Sequence, residues 1–196
     1  MAASFCGCLR LFMSGGITTN KLPNREQSGV KLDPSHSGQD VVIVKNGRRI
    51  CGSGAALSNA PIVQNKAYFE VKIQSSGSWA IGLATRKCNI NKLPLGEDAE
   101  SWVLRNDGAI FHKNEQSATL TGAVEEGDIL GFTFDHVDFN IYLNGRPTGC
   151  SVHGIRGTTF PIFYVDDGAI MDIQFVNFFH EPPEGYERIM IEQSLL

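Results

Sequence analysis

From Val41 onward, apolar and polar residues alternate with a period of two along most of the chain. In "AYFEVKIQ" (67–74), Phe69, Val71 and Ile73 fall on one face and Glu70, Lys72 and Gln74 on the other. "SWAIGLAT" sets Trp79, Ile81 and Leu83 against the small Ala80, Gly82 and Ala84. Leu130, Phe132 and Phe134 align in "ILGFTFD", and Phe139, Ile141 and Leu143 in "VDFNIYLNG", with Asp138, Asn140 and Tyr142 outward. "AIMDIQF" aligns Ala169, Met171, Ile173 and Phe175. Between these runs stand Lys45-Asn46-Gly47, Ser75-Ser76-Gly77, Asn106-Asp107-Gly108, Asn144-Gly145 and Asp166-Asp167-Gly168, residues that tolerate positive φ and signal hairpins. No amphipathic stretch is long enough for a substantial helix, and "KLPLGEDAESW" has room for one short turn at most. Many short strands without intervening helices predict an all-β, antiparallel sandwich or barrel. No internal repeat is visible, which argues against a propeller.

Residues 1–31 break this pattern and read as a tail; the body of the domain spans 32–180, and 181–196 form a closing segment. The 196 residues suffice for one domain with a substantial core. The formal charge of −4 offers no basic field for a nucleic-acid backbone, so nucleic acid is not expected as a partner. No apolar run is long enough to span a membrane. The five cysteines form no Cys-x-x-Cys pair, and their odd number suits a reducing, cytoplasmic setting. Cys6 and Cys8, flanked by Phe5, Leu9, Leu11 and Phe12, leave two readings open: acylation as a weak membrane tether, or incidental thiols in a tail.

The stretch "VVIVKNGRRICGSGAAL" (41–57) raises the question of a phosphate-cradling loop, since a strand runs into Gly52-Ser53-Gly54. A dinucleotide loop needs a third glycine and an opening helix. Here Ala55-Ala56-Leu57 follow, Pro61 interrupts any helix, and "AYFEVKIQ" is a strand where a helix is required. The glycines instead let the backbone come close at a sandwich edge, with Arg48 and Arg49 nearby.

The segments "YFEVKI" (68–73), "WAIGLAT" (79–85), "SWVLRNDGAIFH" (101–112), "GDILGFTFDHVDFNIYLNG" (127–145) and "TFPIFYV" (159–165) resemble, in order and spacing, a SPRY (B30.2-like) domain. "LDPSHSGQDVVIV" resembles the start of the PRY half of longer B30.2 modules. The chain departs from the pattern at Val103, where many members have glycine, and at Phe69, where B30.2 modules have tryptophan. The resemblance implies a bent antiparallel β-sandwich of concanavalin-like jelly-roll type. It also implies a non-enzymatic module that recognises a protein or peptide through loops at one edge. Trp79 and Trp102 lie in family strands and are therefore assigned to the core rather than to an interface. Arg105 is assigned to pinning a hairpin through local carbonyls.

Loops carry recognition in such a sandwich. The candidate partner-binding residues are Gly52, Ser53, Gly54 and Ala55 at the glycine turn, Leu93, Pro94 and Leu95 in the longest connection, and Asp166 and Asp167. Leu93–Leu95 are expected either as an exposed apolar patch or as a flap folded over the core. No cofactor, metal site or catalytic group is expected: the histidines lack ligand spacing, Cys150 with His153 has no nucleophile signature, and "FDHVD" reads as a turn. Two alternatives to protein capture remain. One is a small-molecule or glycan binder using Tyr142 and Asn140, and the other is a structural subunit of a larger assembly.

Overall fold

A computed structural model describes residues 29–191. The strands are β1 (Leu32–Ser37), β2 (Val41–Val44), β3 (Arg49–Gly52), β4 (Gly54–Ser58), β5 (Ala67–Ser75), β6 (Ser78–Thr85), β7 (Ser101–Arg105) and β8 (Ala109–His112). They continue with β9 (Glu115–Thr119), β10 (Ile129–Phe134), β11 (Asp138–Leu143), β12 (Arg146–His153), β13 (Thr159–Asp166), β14 (Ile170–Gln174) and β15 (Glu187–Arg188). No helix occurs among the described residues.

Two antiparallel sheets form a sandwich, which is the expected fold class. Sheet A runs β1-β4-β13-β6-β7-β8-β9, and sheet B runs β12-β11-β10-β5-β14-β3-β2, with the short β15 added parallel to β5. The period-two faces meet between the sheets. Phe69, Val71, Ile73, Phe132, Phe139 and Met171 of sheet B pack against Ile81, Leu83, Leu104, Phe163 and Val165 of sheet A. Phe69 stacks on Phe132 at 5.0 Å between ring centres and meets Phe163 edge-on at 6.0 Å. Each such buried side chain contributes about 1.5–3 kcal/mol of transfer free energy. Trp79 and Trp102 are buried in this core, and Trp102 also stacks on His112 at 4.5 Å.

The outer face of sheet A is buried as well. Ala55, Leu57, Ala80, Ala84, Val103 and Ile162 form a second apolar cluster with Cys88 and Leu95, supplied by the 86–100 connection. This explains why the face opposite Trp79, Ile81 and Leu83 is built of alanine and glycine. A Cβ at Gly82 would lie 1.9 Å from the Trp102 carbonyl oxygen, so β6 and β7 approach as they do only because the position is bare.

The turn signals divide into two kinds. Lys45-Asn46-Gly47, Asn106-Asp107-Gly108 and Asn144-Gly145 close hairpins within one sheet, as expected. Ser75-Ser76-Gly77 and Asp166-Asp167-Gly168 do not: each carries the chain from one sheet to the other. Gly52-Ser53-Gly54 does the same between β3 and β4. The positive φ that a two-residue hairpin needs serves a sheet-switching corner equally well, so local sequence does not separate the two. The corners are neighbours, since Gly54 pairs with Val165 and Asp166 pairs with Ser78.

Candidate functional site

At the Gly52-Ser53-Gly54 corner, Gly52 has φ +88°, and a Cβ there would lie 2.3 Å from the Asp40 carbonyl oxygen. The bare backbone lets two segments lace together. The Ser53 amide donates to the Asp40 carbonyl at 3.0 Å, and the Gly38 amide donates to the Ala55 carbonyl at 2.8 Å. Residues 38–40 thus form one wall and Ser53-Gly54 the floor of a concavity of about 330 Å³. The far wall is the 86–100 connection, which contributes Ile90, Asn91 and Leu93. Three segments distant in sequence therefore surround one surface depression at the cluster of corners.

Asp166 sits beside this floor. Its Oδ1 accepts from the Asp167 amide at 2.9 Å and its Oδ2 from the Tyr164 hydroxyl at 3.2 Å. The Asp167 amide first, then the Ser53 hydroxyl, hold its carboxyl below the usual aspartate range. Burial, reinforced by Asp166, pushes the Tyr164 hydroxyl up to about 12, so it is a fixed donor at neutral pH. Asp167 turns the other way and accepts from Ser78 Oγ at 2.7 Å.

Not every candidate residue faces this surface. Ser53, Gly54 and Leu93 line it, Gly52 shapes it and Pro94 is exposed beside it. Leu95 is only 2% exposed and Ala55 is fully buried, both packed in the outer cluster on sheet A. Of the two arrangements open for Leu93–Leu95, Leu95 takes the flap, because the outer face of sheet A is itself apolar and needs covering, while Leu93 and Pro94 stay at the surface. Arg105 fixes that flap: its Nε and Nη2 donate to the Leu95 carbonyl at 3.0 and 2.5 Å. Arg48, in the β2–β3 turn, and Arg49, at the start of β3, border Asp172 of β14 rather than the glycine turn near which they are expected. Arg49 donates to Asp172 at 2.5 and 2.7 Å, joined there by Lys45 at 3.0 Å, and Arg48 borders the same group. Tyr142 and Asn140 lie on β11, also away from the concavity. Cys6 and Cys8 lie outside the described residues.

Sequence reasoning missed Gly38, Asp40, Ile90 and Asn91. Nothing local to Gly38 and Asp40 announces that the 86–100 connection, some fifty residues later, returns to meet them.

The core arrangement, the strand order and the sheet-switching corners describe a known architecture. The SPRY domain model matches residues 66–178. The chain belongs to the SPRY family. It is 54% identical over 197 residues to SPRY domain-containing protein 7 of Bos taurus and 53% identical to that of Homo sapiens, covering the whole of both chains in each case. It is 27% identical over 124 residues to SPRY domain-containing SOCS box protein 3 of Xenopus laevis, covering 57% of this chain and 34% of that one. Among solved structures, the SPRY domain of human HERC1 aligns with a TM-score of 0.63 at 15% identity, over 73% of this chain and 96% of that chain. The TRIM65 PSpry domain aligns at 0.62 and 15%, over 74% and 89%. These two show a shared fold. SPRY domains generally act as non-enzymatic protein–protein interaction modules that bind protein ligands. Within this SPRY domain, no helix among the described residues is long and apolar enough to cross a membrane.

Proposed function

We propose that this SPRY domain captures a peptide or exposed loop of a partner protein in the concavity between residues 38–40, the Ser53-Gly54 corner and residues 90–93. The observation that carries this is the convergence of three sequence-distant segments on one preformed depression, each fixed by hydrogen bonds or by packing on sheet A. Ile90 and Leu93 supply an apolar ledge for one anchor side chain. Asp40, Asn91 and the nearby Asp166 supply acceptors for backbone amides and donor-rich side chains. With the frame fixed, binding needs little backbone change. A cytoplasmic site of action belongs to the same proposal and is supported by the free thiols at Cys51, Cys88 and Cys150.

Selection of a displayed random-peptide library on the full chain tests the reading. Recovered peptides should bind Asn91→Lys and Leu93→Asp proteins at least tenfold more weakly while both variants melt within a few degrees of wild type. Peptides that bind these variants as well as they bind wild type would place recognition elsewhere.

A further inference from the structure

The other end of β13 carries a second built depression. Thr159 of β13 pairs with Thr85 of β6, whereas Val165 pairs with Gly54 at the end described above. Six residues of strand separate the two ends, roughly 20 Å. At the Thr159 end a concavity of about 410 Å³ opens between the strand ends and the 154–158 loop. Its floor is Phe160, which belongs to the apolar cluster on the outer face of sheet A. Around that floor stand Arg86, Lys87 and Arg156.

The cations differ in how they are held. The Arg86 guanidinium lies 4.3 Å from the centre of the Phe160 ring and donates to Asp33 at 3.3 Å, so its position is set. Asp33 is itself occupied by the Ser35 hydroxyl and the His36 ring. Glu100, the carboxylate in the lining, is taken by the Thr85 hydroxyl. Among the described residues, neither Lys87 Nζ nor the Arg156 guanidinium has an ion-pair or side-chain hydrogen-bond partner. Asp33 matches Arg86, and Glu100, whose bond from a neutral hydroxyl leaves its charge in place, offsets one of the other two cations, so the lining stays cationic by one charge above an apolar floor, on a chain whose formal charge is −4.

We propose that this depression is a second recognition site, whose occupant is a peptide segment carrying an acidic side chain next to an apolar one. The apolar side chain packs on the floor made by Phe160 and the Arg86 guanidinium lying over it, and the carboxylate or phosphoryl group meets Lys87 and Arg156. A peptide fits better than a nucleic acid, because three cations make too short a track for a phosphate backbone and the Arg86 guanidinium already occupies the Phe160 face on which a base would stack. It fits better than a membrane surface, because the apolar group is recessed rather than protruding.

Selection from a displayed peptide library on wild type, with counter-selection against the Lys87→Glu/Arg156→Glu variant, isolates ligands of this site alone. Both substituted residues are exposed and neither lines the concavity of Asn91 and Leu93, so failure here and failure there are separate results. The expected pool is enriched in Asp or Glu beside an apolar residue. Its members bind the variant at least tenfold more weakly, and they weaken as salt rises from about 50 to about 300 mM. Replacing the acidic residue with phosphoserine in a recovered peptide retains or strengthens binding, and replacing it with Lys abolishes binding. A pool without acidic enrichment, or equal binding to the variant, overturns the proposal. So does a variant-sensitive interaction found only with phosphatidylserine vesicles or a single-stranded oligonucleotide.

Discussion

Arg105 Nε and Nη2 both donate to the carbonyl oxygen of Leu95, and the same guanidinium lies 3.8 Å from the centre of the Phe111 ring. One side chain thereby ties the 86–100 flap to β7 and holds the wall that carries Asn91 and Leu93. Arg105→Ala should cost about 2–3 kcal/mol, from a charged hydrogen bond and a cation–π contact together. Arg105→Lys should recover less than half, since an ammonium does not present two aligned donors. Urea unfolding measures both, and a loss under about 0.5 kcal/mol for the alanine variant would contradict the clamp.

Leu95 itself is a core residue of the outer cluster, so Leu95→Ala should cost about 2–5 kcal/mol and Leu95→Asp should prevent folding. Leu93→Asp, at a half-buried position that lines the depression, should leave the melting temperature within a few degrees of wild type. Thermal unfolding of the pair checks the contrast, which separates flap from surface.

Glu70 is fully buried on the outer face of sheet B. It accepts from the Tyr68 hydroxyl at 2.8 Å, from the amides of Phe179 and His180 at 2.5 and 3.0 Å, and from His180 Nδ1 at 3.1 Å. Glu70→Ala strands those donors and should cost about 3–5 kcal/mol. Amide exchange at Phe179 and His180 should rise well before global unfolding. Unchanged exchange at both amides would show that the segment is held by packing alone.

Burial raises the Asp33 carboxyl, but the Ser35 hydroxyl and amide, the His36 ring and Arg86 together more than offset it, leaving it at about 2 against an ordinary 3.8. The folded value is the lower one, so the stabilisation is present above 3.8 and is lost as pH falls through about 2. After solvent screening this amounts to on the order of 1 kcal/mol. Asp33→Asn should flatten the fall of stability with acid across that window and leave the slope above pH 5 unchanged, as read by denaturant titration at each pH.

Gly52→Ala would place a methyl group on the Asp40 carbonyl at a φ of +88°. It should cost at least about 1–3 kcal/mol from backbone strain alone and should weaken any peptide bound against residues 38–40. Gly29→Ala, with nothing within 4 Å, should be neutral. Calorimetry on both variants gives the comparison, and equal melting temperatures would sink the close-approach account.

The strands with strong alternation, β5, β6, β10, β11 and β14, were legible because one face of each is apolar. The edge strands β9 and β12 were not, since "EQSAT" and "RPTGCSVH" bury little and owe their conformation to a neighbouring strand. Glu70 marks a different limit. Alternation places it on the outer face, which is correct, but its burial comes from residues 178–180 crossing that face over a hundred positions later. The candidate site divides in the same way. Ser53, Gly54 and Asp166 were visible as turn chemistry, whereas Asn91 and Asp40 join them only because sheet A needs a flap and Gly52 admits a close backbone.

Because sheet A is covered on both faces, water reaches the β4–β13–β6 ladder only when the flap or the opposite sheet lifts away. Amide protons there, at Ile162 and Phe163 above all, should be the last in the molecule to exchange with solvent. Both depressions are mounted on the ends of this ladder. Loops around them are free to change length or composition over evolutionary time while the spacing between the two sites stays fixed by the most slowly opening part of the protein.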